Sequence, residues 1–364
     1  MTIYVTKSYL PPIEEYSKYI QDIFATGVLT NGGALVQSLE QKMAKFLEVE
    51  HFDYVTNGTI ALQLALNALD IKDGEIITTP FSYVATTSSI LWERCQPVFV
   101  DIEPDNFTID ADKIEAAVTP RTKAIMAVHV FGYACDVDKI QKIAARHNLK
   151  VIYDGAHAFG SRYKGKSLLS YGDISTCSFH ATKLFHTVEG GACICQDKDV
   201  AEKLELSKKF GHIYDNHICL GINGKQSEFH AAMGLANFPH IAEIIRERKR
   251  VCDRYDSLLA GVVRRPQAQS GLEYNYAYYP VVFKSEQELL RVFSALKEYD
   301  IFPRRYFYPS LNTLPYLKTT QKCPVSEDIC ARIACLPLYP QLSNEEVSRN
   351  CAIIRTAFSM QKAG

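Results

Sequence analysis

Short apolar runs alternate along much of the chain with longer stretches whose apolar positions recur at helical spacing. The runs at 75–79, 97–101, 124–130, 150–154, 174–179 and 192–195 lack the polar alternation of a strand with one wet face, so they predict strands buried on both sides. Between them, 60–69 is apolar around most of its circumference, while 112–118 and 138–147 are amphipathic. Strand and helix in this order predict an α/β domain, a mostly parallel sheet held between helices. From about residue 241 the pattern changes to a long charged helix at 243–259, an aromatic run at 274–283 and a further helix at 286–299. The expected division is a large domain over 1–245, including the N-terminal segment, and a smaller C-terminal α+β domain over 246–364. A chain of 364 residues is long enough for two cores.

Composition narrows the partners. Charged residues make up 22% and the formal net charge is -1, so there is no electrostatic footprint for nucleic acid or a membrane surface, and small-molecule partners are favoured. The N-terminal MTIYVTKSYLPP carries no apolar run of signal-peptide length, and a cytoplasmic protein is expected. The 11 cysteines are scattered without a CxxC pair; they read as buried reduced thiols, and no metal site is expected. Asp136-Val137-Asp138 is too short for a calcium loop and reads as a helix cap.

Candidate chemistry concentrates in Ser178-Phe179-His180-Ala181-Thr182-Lys183, which follows Asp154 by 29 residues and precedes Glu189-Gly190-Gly191. A lysine amine condenses with an aldehyde cofactor, and a strand-end aspartate can hold the cofactor's ring nitrogen protonated, which makes the ring an electron sink. Lys183 and Asp154 therefore predict a pyridoxal-phosphate site with transamination chemistry. Asp154 closes the apolar run Val151-Ile152-Tyr153. A pyridinium N–H beside such a carboxylate is attracted by about 4 kcal/mol at an effective dielectric of ~20, or about three pKa units. Asn57-Gly58-Thr59 lies between a strand-like run and a helix, where orphan N–H groups and the helix dipole favour a phosphate; the same pattern also suits a plain turn with Thr59 as cap. Tyr83 can stack on a cofactor ring or simply pack, and Ser178 can offer a hydroxyl to phosphate or serve as a small strand residue.

The ordered blocks TNGT, TPFSYVAT, PVFVDI, TKAIMAVHVFG, DGAHAFGS, SFHATKLFHTVEGG, GINGKQSEFHAAMGL and LPLYPQLSNEEV span nearly the whole chain. This set resembles the fold-type-I nucleotide-sugar aminotransferases of the DegT/StrS type, and SFHATK with EGG is similar to members that aminate TDP-4-keto-6-deoxyhexoses. The resemblance implies a fold-type-I PLP-dependent transferase, with pyridoxal phosphate joined to Lys183 and pyridoxamine phosphate formed between two half-reactions. It implies Asp154 at the pyridine nitrogen, Gly58, Thr59 and Ser178 at the phosphate, and Tyr83 on the ring. His157 stands where many members carry glutamine near the phenolic oxygen; both side chains can donate a hydrogen bond. In the family the GxN asparagine reaches the neighbouring subunit's phosphate, implying Asn223 and a homodimer with shared active sites. Lys225 occupies a position that is often arginine, which leaves the donor-carboxylate clamp open, because the two cations differ in bidentate binding. Arg304 and Arg305 are an alternative anion site, or solvated rim charges.

The implied substrates are L-glutamate and a nucleotide-linked ketosugar, foremost TDP-4-keto-6-deoxyglucose, within surface-polysaccharide or secondary-metabolite synthesis. Amination of a 3-keto sugar is the nearest alternative. A sugar 3-dehydrase of this fold carries histidine in place of the lysine, whereas Lys183 is present here. A non-catalytic cofactor-binding homologue is the alternative from another class, but the chain has no appended DNA-binding segment or basic patch.

Overall fold

The computed structural model describes residues 2–359 apart from 318 and 320. Seven strands form the main sheet, in the spatial order His51–Val55, Gly191–Cys195, Ile174–Ser178, Lys150–Asp154, Thr122–Val128, Glu75–Thr78 and Gln96–Phe99. All pairings are parallel except the two made by Gly191–Cys195, which runs antiparallel to both of its neighbours. Two reversals cancel, so His51–Val55 points the same way as the parallel strands. Its carboxyl end, with the turn Asn57-Gly58-Thr59, opens on the same edge as Thr78, Asp154 and Ser178.

The expected strands are present with end shifts of one or two residues. The expected helix over 112–118 is instead a short α-turn, Ala111–Ile114, continued by a 3-10 turn, Glu115–Ala117. Asp110 caps it, and the chain is already extended at Val118, ahead of Pro120. Asp136 accepts the amide of Lys139 at 3.1 Å, the cap expected for Val137–His147.

Apolar side chains from both sheet faces make the main cores. A separate cluster joins Val251, Tyr255, Tyr279, Leu289 and Val347, and Ile3 from the start of the chain is buried in it. Ile3–Tyr4 pairs in parallel with Ile301–Phe302. Residues 277–335 also reach back: Tyr278, Phe307 and Cys335 are buried in the cluster that contains Phe131 and Phe179. The C-terminal part thus forms a wall over the carboxyl edge of the sheet.

All 11 cysteines are free, and only Cys219 is exposed. Burial pushes the thiols of Cys177 and Cys195 up to about 12. Among the described residues no helix is long and apolar enough to cross a membrane.

Candidate active site

A cavity of about 560 Å³ lies where the carboxyl edge of the sheet meets the C-terminal wall. Its lining brings together Gly58, Thr59, Tyr83, Asp154, His157, Ser178, Lys183 and Arg304. Ligands in α/β sheets bind at this edge because strand ends and helix N-termini converge there.

The anion end is built by three segments. Asn57 Oδ1 accepts the amide of Ile60 at 2.9 Å and caps Gly58–Ala68, leaving the first-turn amides of Gly58 and Thr59 without intrahelical acceptors. A Cβ at Gly58 would lie 3.0 Å from Ser178 Cβ, so the turn sits directly against the serine. Gly191, the last residue of the EGG block, explains how the turn comes so close. A Cβ there would fall 2.4 Å from the carbonyl carbon of Asn57 and 2.7 Å from the amide nitrogen of Gly58.

Asp154 is buried, and both of its oxygens are held. Oδ1 accepts the amide of Ala156 at 3.1 Å, and Oδ2 accepts the hydroxyl of Thr86 at 2.7 Å. Thr86 is itself 2.7 Å from the Ser82 hydroxyl. Asp154 lines the cavity with no ion-pair partner among the described residues, although Lys183 is near enough to interact with it electrostatically.

Lys183 is half-buried and donates from Nζ to the hydroxyl of Tyr278 at 3.3 Å. Burial holds its amine below the usual lysine range, against the opposing pull of Asp154. The lysine loop is tied down on both sides by the N-terminal segment: Ser8 Oγ donates to the carbonyl of Ala181 at 2.7 Å, and His186 Nε2 lies 2.6 Å from the carbonyl of Tyr9.

His157 is buried, and its Nδ1 accepts the amide of Phe131 at 3.1 Å, which leaves the ring proton on Nε2. Burial, and then the nearby Lys183, push its pKa well below the usual histidine value, so the ring is neutral. Tyr83 precedes the helix Val84–Trp92 and stands exposed at the cavity rim.

These groups suit pyridoxal phosphate in their chemistry. An amine can take the aldehyde, a buried carboxylate without an ion-pair partner can take the ring N–H, and an anion-binding helix start can take the phosphate. Arg304 offers a further positive charge; its guanidinium lies 5.2 Å from the Tyr306 ring centroid.

Three expected residues lie away from this cavity. Arg305 is turned to Glu286 and to the carbonyls of Cys330 and Ala331, which engages its guanidinium elsewhere and corrects its expected place beside Arg304. Asn223 and Lys225 are hydrogen-bonded to each other at 2.8 Å, and the Lys225 amine lies over the Phe210 ring. Neither enters the cavity of its own chain. Sequence reasoning missed Thr86, although it lies in the same TPFSYVAT block as Tyr83, and it missed Tyr278, Tyr306 and Phe307. An aromatic run signals packing before it signals a site.

Comparison with known proteins agrees with this geometry. The chain is 42% identical over 363 residues to the dTDP-4-amino-4,6-dideoxy-D-glucose transaminase of Shigella dysenteriae, covering 97% of this chain and 98% of that one. It is 39% identical to the protein of the same name from Escherichia coli, covering 95% and 96%. The crystal structure of DesI in the presence of its TDP-sugar product superposes with a TM-score of 0.93 at 31% identity, over 99% of this chain and 94% of that one. The family model for DegT/DnrJ/EryC1/StrS aminotransferases matches residues 12–355, and the chain belongs to that family of PLP-dependent sugar transaminases.

Proposed function

We propose that this enzyme transfers the amino group of L-glutamate to TDP-4-keto-6-deoxyglucose, giving TDP-4-amino-4,6-dideoxyglucose and 2-oxoglutarate. The observation that carries the reading is the convergence of Lys183, Asp154 and the Gly58-Thr59 turn on one cavity, in a chain this similar to two transaminases named for that amino sugar.

Pyridoxal phosphate, when bound, supplies an aldehyde that condenses with amines and a ring that delocalises the electrons of the adjacent carbon. Gly58, Thr59 and Ser178 would hold the phosphate, Tyr83 would cover one face of the ring, and neutral His157 would donate from Nε2 to the phenolic oxygen. Asp154, fixed by Thr86 and Ala156, would hold the ring nitrogen protonated.

Lys183 would supply the amine that takes the cofactor's aldehyde. Its Nζ would take the proton from the α-carbon of glutamate in one half-reaction and deliver a proton to C4 of the sugar in the other. Burial lowers its pKa, which favours the neutral amine relative to an exposed lysine. Arg304 is the cavity's cation for the donor carboxylate.

A homodimer with shared sites accounts for the residues that lie outside. Phe210, Ile213, Tyr214, Ile218, Leu220 and Ile222 are exposed apolar side chains on the segment that leads to Asn223. Such a patch calls for cover by another chain. Asn223 would then reach the phosphate of the partner's site, with Lys225 beside it.

The test is the visible absorption of the cofactor-loaded protein, followed as glutamate and then TDP-4-keto-6-deoxyglucose are added. The expected result is loss of the band with glutamate and its return with the sugar, with nitrogen at C4 of the product by NMR. A band unmoved by glutamate overturns the donor; loss without return rejects this sugar, and nitrogen at C3 rejects the regiochemistry.

A further inference from the structure

The Tyr278 hydroxyl stands 3.3 Å from Lys183 Nζ, and the reaction as outlined gives it no role. Its ring is fixed. It packs against His157, Phe131 and Tyr306, with centroids 4.5, 5.7 and 5.7 Å away, and its own carbonyl accepts the Tyr274 hydroxyl at 3.0 Å. The next residue begins the strand Tyr279–Val282, paired along its length with Ile333–Leu336. The hydroxyl is therefore a rigid point at the cavity wall, carried by the C-terminal part of the chain.

A lysine that alternates between nucleophile and base spends part of each cycle unattached. Its long side chain has many rotamers, so an unheld amine drifts from the reacting carbon. A carboxylate would hold it, but only by keeping it charged and useless as a base. A phenol accepts from an ammonium and donates to an amine, so it holds both states.

We propose that Tyr278 is the positioning residue for Lys183: its hydroxyl is the berth of the amine whenever Lys183 is not bonded to cofactor, and it fixes the direction from which Nζ addresses the reacting carbon. This rests on the reading of the cavity as a pyridoxal-phosphate site. Other ionisable groups around Lys183 are Asp154, His157, Cys177, Tyr83 and Tyr306; those around Tyr278 are His157, Tyr306, Cys335, Arg248 and Arg304. Nζ donates to the Tyr278 hydroxyl at 3.3 Å, whereas Asp154 is engaged by Thr86 and Ala156 and His157 by Phe131.

The experiment uses the full chain freed of cofactor by dialysis. Pyridoxal phosphate is added across a range of pH, and the rate of its capture is read from absorbance. Borohydride reduction and peptide mass spectrometry locate the attachment. Absence of attachment at Lys183 in the wild type overturns the cofactor reading itself, independently of Tyr278.

With attachment confirmed, Tyr278→Phe is expected to bind cofactor normally but to capture it about ten-fold more slowly. The pH midpoint should move down, because the ammonium has lost an acceptor. In turnover, kcat should fall by a similar factor with KM for the sugar within about two-fold. Tyr278→His, which can also donate and accept, is expected to recover most of the capture rate. A Phe variant with the wild-type rate and midpoint overturns the proposal, as does a His variant as slow as Phe. Should the Phe variant not fold, the His variant decides alone: a rate near wild type supports the berth, and a ten-fold loss overturns it.

Discussion

The Thr86 hydroxyl donates to Asp154 Oδ2 at 2.7 Å, so the carboxylate that lines the cavity is aimed by a residue in the first turn of the helix Val84–Trp92. A hydrogen bond to a charged acceptor contributes about 1.5–3 kcal/mol. Thr86→Val is expected to reduce kcat/KM by about ten-fold or more, whereas Thr86→Ser retains the bond and most of the rate. Steady-state kinetics on the two variants separates loss of the hydroxyl from loss of the methyl group.

Asp154→Asn should bind cofactor and react poorly. Without the charge, about 4 kcal/mol of attraction to the ring N–H is lost, which corresponds to roughly a thousand-fold in rate. Near-normal turnover in that variant would reject the role of the carboxylate. A fluorescence titration of cofactor binding completes the measurement.

Gly191→Ala tests the contact between two blocks far apart in sequence. The added methyl would collide with the Asn57 carbonyl and the Gly58 amide, forcing the anion-binding turn away from Ser178. Cofactor affinity is expected to fall more than ten-fold, or about 1.4 kcal/mol and upward. Equilibrium dialysis reads it directly, and an unchanged affinity would mean that the turn yields without consequence.

Lys208 is almost wholly buried, with Asp53, Glu40 and Glu205 at 2.8, 3.2 and 2.6 Å. Burial alone would lower its pKa, but the three carboxylates outweigh it and keep the ammonium charged. One cation cannot satisfy three anions, and burial pushes the Asp53 carboxyl up to about 6 despite Lys208. Lys208→Met leaves that carboxylate unpaired, at an expected loss of about 3–5 kcal/mol. Urea denaturation checks this. Loss of less than about 1 kcal/mol would show that the carboxyl simply protonates.

Acid should unfold the protein partly through buried histidines. His129 is fully buried and stacked on Tyr153 at 4.4 Å, and desolvation takes its pKa down to about 3. The folded state then binds fewer protons than the unfolded one. Stability from this group is complete above pH ~6.5 and is lost as pH falls toward 3, at up to about 1.4 kcal/mol per unit. His157 and His186 are shifted in the same direction. His129→Gln should flatten the decline between pH 6.5 and 4.5; equal slopes for variant and wild type would remove His129 from the account.

Legibility followed the range of the interactions. The sheet strands are readable because strands buried on both faces are largely apolar, Asp154 because it ends such a run, and Lys183 because it follows the next strand in the SFHATK block. What escaped depends on partners distant in sequence: the antiparallel place of Gly191–Cys195, the bond from Thr86 to Asp154, the reach of Tyr278 to Lys183, and Ile3 in the same core as Val251. Arg305 shows the converse. It adjoins Arg304 in sequence, but the backbone aims the two side chains at different surroundings, and type and neighbourhood alone could not separate them.

The reversed strand Gly191–Cys195 has a consequence for how the protein is made. His51–Val55 leaves the ribosome early, yet within the sheet its neighbour is a segment almost 140 residues further on. Until that segment emerges, the edge strand and the anion-binding turn that follows it have no place to dock. Such long-range pairing is slow and exposes apolar surface meanwhile. The cofactor cradle is thus among the last parts of the large sheet to close, and it has no floor until residue 195 of the 364 has been made.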